Sequence, residues 1–508
     1  MEVWLLFFIM GLLTYALIRR TVPPENKAPL SLLWLAMMLP ASSWLAWILI
    51  YGATVPMPFL LMLPLLVISP TLYWSLLEWG KPPTKEPTEP PDETTDQPLP
   101  KADDLGLKIN NLNDKINTKK KSPPRPISDQ EEEALRDCFP WGVFYLQNID
   151  YYPQAVICRG RLRGVPKEAY QIIRENVEKL FGDRFIVVFQ ESFKGQPFFA
   201  LVPNPWKPDQ EKGEKEEPLT RPGLAIALVL ITLFTTTVMG LEIQKVEPEV
   251  FQQNPDLLWL GLPYGVVLMV IFAAHEFAHY FMAAYYKVKS NLPYFVPIPF
   301  FVGTLGAYTQ RRSPIPHRQA LFDIAAAGAW VGMLLTLPVL WVGLSLSQVV
   351  PMPEQPTLLT FDGFDPRFSF MLALISRLAM GAQLTPDMAI LLHPVAIAAY
   401  VAFMFGAMQM LPIGQLDGGL MTHAVFGQRT AGIIAQVARF SMILTSFVQP
   451  NLIFLAVFAI LMPITNQPAL NDVTDLDNRR DFVGIFTLVF VTFIFLPLPG
   501  AIATWLNF

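Results

Sequence analysis

The chain has 508 residues, of which 52% are hydrophobic and only 16% charged. An ordinary soluble domain carries about 25% charged residues, so much of this length belongs in a bilayer rather than in water. The net charge of −5 supplies no global basic field and excludes binding to nucleic acid by a broadly cationic surface.

Three apolar runs open the chain, at 2–18, 31–52 and 57–78. Each approaches the ~20 residues needed to cross a bilayer. The first begins with an acidic residue, and the basic pair Arg19-Arg20 follows the run instead of preceding it. That order predicts a retained first span, not a cleaved signal peptide. Residues 1–80 therefore read as an N-terminal transmembrane region of about three spans. Composition then changes abruptly. Residues 81–127, with "KPPTKEPTEPPDETTDQPLP" and "KKKSPPRP", are too polar and proline-rich to bury a core and read as a disordered linker.

Residues 128–205 read as a small soluble α+β domain. Ser128 and Glu131 form a capping box for a short helix ending near Cys138. "VFYLQNI", "AVICRGRL", "FIVVFQE" and "PFFALVP" have the composition of strands. Pro166 suits the first turn of a second helix, whose apolar face is predicted to hold Ile173, Val177 and Leu180. The two cysteines, Cys138 and Cys158, match neither C-x-x-C nor zinc-finger spacing and read as packing thiols. A second charged linker, 206–221, leads back to apolar sequence.

Residues 222–508 read as a membrane core of about six spans, near 222–241, 259–285, 319–345, 386–411, 430–463 (long or broken) and 482–506. Residues 367–382 are ambiguous and are placed at the interface. The fold class is thus a polytopic α-helical membrane protein with a small soluble α+β domain inserted before the core. Arg19, Arg20 and Lys27, then Lys287 and Lys289, then Arg311, Arg312 and Arg318, fall on one side of these spans together with the α+β domain. The positive-inside rule makes that side cytoplasmic.

Within 259–285 lies His275-Glu276-Phe277-Ala278-His279. Histidines at i and i+4 share one helix face, so both imidazoles can reach one zinc ion while Glu276 acts on water held there. Ionisable groups are costly in hydrocarbon and mark function. Next comes "NLPYFVPIPFFVGTLGAYTQ" (291–310), where Pro293, Pro297 and Pro299 forbid a regular helix. Non-helical backbone at membrane depth must be buried in protein or line a wet cavity, so this stretch reads as a re-entrant β segment. It could pair with an extended peptide by strand addition.

A hydrolytic zinc site needs three protein ligands and an open position. The other histidines are His317, His393 and His423, and the acids within the apolar half are Asp323, Asp417 and the loop acids near 354–365. Asp417 stands out because "MLPIGQLDGGL" breaks the helical pattern beside a span. Spacing alone leaves Asp417 open between a helix cap and a ligand. His393 and His423 read as packing or helix-end residues, Arg311, Arg312 and His317 as interface charges, and Asp323 as an acid at a helix N-terminus.

These residues resemble the site-2 protease family of intramembrane zinc metalloproteases. The resemblance is to the cyanobacterial and chloroplast branch that includes the ethylene-dependent gravitropism-deficient and yellow-green proteins. It rests on "AAHEFAHYFMAAYYKVKSNLPYFVPIPFFVGTLGAYTQ", "RQALFDIAAAG" and "MLPIGQLDGG", with "CRGRLRG" upstream. It implies one Zn2+ per chain held by His275, His279 and Asp417, with Glu276 as general base. It implies membrane-anchored protein substrates, regulators of transcription among them, cut within or near their transmembrane segments. It also implies a plasma or thylakoid membrane of a photosynthetic organism, with the active site opening to the cytoplasmic or stromal side. Three positions depart from the family pattern: Gln409 replaces Asn, Ala329 after Gly328 stands where the family's Ala-Gly-Pro has its proline, and Arg161 stands where Asn or Gln is usual. Gln409 retains an amide for an oxyanion or substrate contact. The departures motivate an alternative, a non-catalytic zinc-binding scaffold or chaperone. A metal transporter would need more ionisable residues along its spans than are present.

Overall fold

The computed structural model describes some residues of 11–28, residues 29–52, most of 69–80, and 126–506 apart from 153–154, 193–194, 205–220, 247–249, 251–253, 299–301, 353–360, 362, 386, 450–451 and 464–467. Nearly all of both predicted linkers, most of the first run and the start of the third lie outside the described residues. The chain separates into two compact units, Met1–Lys120 and Lys121–Phe508. In the first, helix α1 (Leu30–Tyr51) carries the second predicted span. Leu33 packs with Ile18 and Ala28, and the Ser69 hydroxyl donates to the Ala36 carbonyl.

The second unit opens with a four-stranded antiparallel sheet. Helix α2 (Asp129–Asp137) has the predicted capping box, with the Ser128 hydroxyl accepting from Glu131 N–H and the Glu131 carboxylate accepting from Ser128 N–H. Strands β1 (Phe144–Tyr152) and β2 (Ala155–Leu162) are followed by helix α3 (Pro166–Phe181), then β3 (Phe185–Glu191) and β4 (Pro197–Pro203). The spatial order is β1-β2-β4-β3, which leaves β3 at an edge. Strand alternation turns Phe144, Phe189 and Phe199 inward, where Phe199 stacks on Phe189 and meets Phe144 edge-on. The buried face of α3 is Ala169, Tyr170, Ile173 and Val177. Leu180, expected on that face, is exposed instead, and its neighbour Phe181 packs against the core, edge-on to Phe185.

The remainder is mainly helical, with two strand pairs among the helices. Among the described residues, five helices are long and apolar enough to cross a membrane: α1, α4 (Pro222–Ile243), α5 (Leu258–Tyr285), α6 (Arg318–Ser345) and the helix beginning at Asp417. Small residues let α4 and α5 touch. A methyl on Gly261 would sit 2.0 Å from the Thr237 carbonyl oxygen, so only glycine allows this approach. Between α5 and α6 stands a hairpin of β5 (Tyr294–Pro297) and β6 (Thr304–Tyr308), which answers the strand reading of 291–310. Tyr264 on α5 donates to the Val302 carbonyl, and Thr235 on α4 donates to that of Gly303.

The C-terminal half departs from the predicted spans in three places. The run at 386–411 is not one helix: β8 (Met388–Leu391) pairs with β7 (Gln348–Pro351), and α8 (Pro394–Gln409) follows α7 (Phe370–Met380) only after that strand. Pro394 supplies the break, since it fits a first helical turn but not a helix interior. The run at 430–463 is split as well. Helix α9 (Asp417–Val448) starts earlier and bends at Gly427, whose φ of 77° lies outside the helical region, and α10 (Ile453–Leu461) is separate. Residues 370–380 form one helix, with Leu372, Ala373 and Ile375 buried, Leu372 and Ile375 against the rest of the core. The run at 482–506 is divided too, into helices α11 (Asn478–Phe495) and α12 (Gly500–Leu506), because Pro497 and Pro499 interrupt the helix between them. Arg480 on α11 grips Asp323 through two hydrogen bonds of 2.6 and 2.7 Å, and Tyr286 donates to the same carboxylate. Asp323 is therefore a tie between three elements and not a lone helix-end acid.

Candidate metal centre

The apolar run of α5 folds as one helix, and its 3.6-residue period stacks His275 over His279. Their Nε2 atoms are 3.2 Å apart. Asp417 comes from far along the chain. Gly414, with φ of 52°, turns the backbone after α8, and Gly418 lets α9 start against the end of α8. A methyl there would lie 1.9 Å from the Met410 carbonyl oxygen. Asp417 is the first residue of α9, and the capping position is Leu416, so Asp417 is not the helix cap. Its Oδ2 reaches His279 Nε2 at 3.2 Å and His275 Nε2 at 3.4 Å.

The three donor atoms thus form a nearly equilateral triangle. Ligands on a tetrahedral zinc ion with bonds of about 2.05 Å are separated by about 3.3 Å, so this spacing fits zinc. His275, Glu276 and Asp417 are each less than 8% exposed. A buried carboxylate facing two imidazole nitrogens calls for a cation, which is a second reason that the donor set fits a metal. Among the described residues, this is the group of histidines and acids arranged to hold an ion.

Neighbours orient the rings. His279 Nδ1 lies 2.7 Å from the Ile324 carbonyl oxygen, so Nδ1 carries the proton and Nε2 is left as donor. Helix α6 approaches so closely that a methyl on Gly328 would lie 2.1 Å from His279 Nε2, and one on Gly332 would lie 2.9 Å from His275 Nδ1. Gly328 and Gly332 are therefore the bed on which the two imidazoles rest. Glycines four apart in an apolar helix signal such close packing, and this pair is legible as such in the sequence. Glu276 Oε1 is 4.0 Å from His275 Nε2, outside the donor triangle but within reach of a water beside it. Thr309, just after β6, lies beside the same carboxylate, its hydroxyl outside hydrogen-bond geometry.

Other candidates fall elsewhere. Gln409 is the last residue of α8 and half-buried, and among the described residues its side chain makes no hydrogen bond. His317 and His393 cap α6 and α8 by accepting from Ala320 and Val395 N–H. His423 is fully buried against Asp472, a partnership that local sequence spacing could not reveal.

Comparison with known proteins agrees with this geometry. Residues 264–448 match Peptidase family M50, and residues 133–209 match the EGY3 middle domain. Residues 264–448 thus carry the likeness to peptidase family M50, the family of the site-2 proteases. Among its relatives is "Probable zinc metalloprotease EGY1, chloroplastic" of Oryza sativa subsp. japonica, 27% identical over 75% of this chain and 70% of the relative. The protein of the same name from Arabidopsis thaliana is 27% identical over 75% of this chain and 73% of its own length. "Probable zinc metalloprotease EGY2, chloroplastic" of Arabidopsis thaliana is 28% identical over 72% and 64% respectively. No solved structure matches the chain. The M50 domain and the relatives' names make zinc the cofactor, and the donor triangle fits it.

Proposed function

We propose that this protein is an intramembrane zinc metalloprotease that hydrolyses peptide bonds within or near the transmembrane segments of membrane-anchored proteins. The observation that carries the reading is the donor triangle of His275, His279 and Asp417, closed across 138 residues of sequence beside the buried Glu276. His275, His279 and Asp417 would hold zinc, which when bound polarises a carbonyl and lowers the pKa of water. Glu276 receives the proton of the attacking water and passes it to the leaving amine nitrogen. Ile324 and the glycine bed keep His279 in the required tautomer and place.

A substrate helix hides its carbonyls in internal hydrogen bonds and must unwind before attack. The β5–β6 hairpin, buttressed by Tyr264 and Thr235, would take up the unwound stretch by strand addition. In this reading the hairpin is re-entrant, the α+β module recruits or filters substrates, and both lie on the cytoplasmic or stromal side. The clustering of Lys287, Lys289, Arg311 and Arg312 about the hairpin supports that side. The relatives' names point to a plastid or photosynthetic membrane.

The test is cleavage of single-span membrane proteins by the purified full chain with zinc, against Glu276→Gln. Loss of the general base should lower turnover by about 10²–10⁴-fold while bound zinc is retained. Equal yields from the two proteins, or no product from either with every substrate tried, favours the non-catalytic scaffold.

A further inference from the structure

The segment Leu470–Asp472 joins the α+β module to the helices of the metal centre. Strand β3 has a free edge, and this segment fills it. Phe189 N–H donates to the Leu470 carbonyl at 2.7 Å, and Asp472 N–H donates to the Phe189 carbonyl at 2.9 Å. On its other side, Leu470 and Asn471 N–H donate to the Ile315 and Pro316 carbonyls, immediately before α6. Its flanking side chains are divided in the same way. Val473 enters the core of the α+β module, and Ala469 enters the cluster formed by Leu321 and Phe322 of α6 with Leu420, Met421 and Ala424 of α9.

At the centre of this strut is the Asp472 carboxylate, 8% exposed. Both its oxygens lie 3.0 and 3.1 Å from Nε2 of His423, which is wholly buried. Arg318, first residue of α6 and also buried, has Nε 3.8 Å from Asp472 and donates through Nη2 to the His423 carbonyl. One carboxylate therefore ties α6 to α9. These two helices build one side of the metal centre: α6 brings Ile324, Gly328 and Gly332, and α9 brings Asp417. His423 stands six residues beyond Asp417, before the bend at Gly427, about 9 Å along one short helical segment. A displacement of that segment at His423 is carried to Asp417 with little loss.

A buried ion pair is a poor source of stability, because desolvation offsets most of the attraction, and its best-attested use is to fix register. We propose that Asp472 and His423 are positioning residues for the metal centre, and that the seat of Asp472 on β3 couples the α+β module to the Asp417 carboxylate. This rests on His275, His279 and Asp417 as the metal-binding set.

The experiment uses the full chain in detergent, loaded with zinc, and follows release of zinc to excess chromophoric chelator. Asp472→Asn and the double variant His423→Leu/Asp472→Asn should release zinc about tenfold faster than wild type. His423→Gln, whose amide can donate to Asp472, should stay near wild type. Wild-type release by the folded double variant overturns the assignment. That variant buries no imidazole in need of a carboxylate, so it decides the matter if Asp472→Asn alone fails to fold. An independent arm needs no substitution. Coupling is reciprocal, so removing zinc from wild type should raise amide exchange at 185–191 and 470–473. Unchanged exchange there overturns the coupling whatever the variants do. Wild type that binds no zinc overturns the metal-binding set itself. Wild type that binds zinc but cleaves nothing overturns only the proteolytic reading.

Discussion

Replacing Gly328 by alanine puts a methyl carbon 2.1 Å from His279 Nε2, the atom that faces Asp417 and His275. Ordinary contact begins near 3.4 Å, so the ring or helix α6 must move by more than about 1 Å. The ring has nowhere to go without cost. Turning it breaks the 2.7 Å bond from Nδ1 to Ile324, and sliding it takes Nε2 out of the donor triangle. Moving α6 instead disturbs the Gly332 contact with His275. Perturbing the partners of a metal-ligating histidine costs 10–100-fold in affinity, and here the donor atom itself is struck, so we expect about a 100-fold loss. Displacement by 1 Å should lower any turnover that survives by about 10²-fold. The assay is competition for zinc against a chelator of known affinity, with Gly432→Ala as control. Gly432 also lies in a helix, yet a methyl there meets nothing within 4 Å. Zinc affinity in Gly328→Ala equal to that of the control would refute both the close approach of α6 and its role as a bed for the ligands.

Three further outcomes follow from groups around the site. Asp323→Ala removes the acceptor for both Arg480 hydrogen bonds and for Tyr286, and should cost about 2–3 kcal/mol, read as a lower denaturation midpoint. An unchanged midpoint would mean that the tie between α6 and α11 carries no stability. Burial, then the nearby Lys167, lowers the pKa of His317, whose neutral Nδ1 accepts from Ala320 N–H. Because the unfolded imidazole titrates near 6.5, the cap's contribution of about 1 kcal/mol is complete above that pH and fades as pH falls through the native pKa. His317→Asn keeps a cap that does not titrate, so it should flatten this part of the stability–pH curve. A curve that keeps its slope removes His317 as the cause. Burial pushes the Cys158 thiol up to about 12, so at pH 8 only about one molecule in 10⁴ carries the thiolate. Alkylation of Cys158 should wait for unfolding, and prompt labelling of native protein would contradict its place in the sheet core.

Local pattern determined a large part of this protein. The i, i+4 histidines, the apolar length around them, the capping box at Ser128 and the four strands of the α+β module are each written in residues close together in the chain. Short-range geometry turns such signals directly into helix faces and strand faces. The proline-rich stretch before α6 likewise excluded a helix, because proline removes a donor whatever surrounds it. Asp417 was legible only as a candidate, since spacing could not choose between cap and ligand. Tertiary structure decided the matters that depend on distant partners. It closed Asp417 onto the two histidines and showed why Gly328 and Gly332 bear no side chain. It divided the predicted run at 386–411 before Pro394, that at 430–463 after Val448 and that at 482–506 after Phe495, although apolar composition continues through all three. It also brought Asp472 to His423 and β3. A buried acid and a buried histidine 49 residues apart leave no periodic trace, and only packing reveals that they meet.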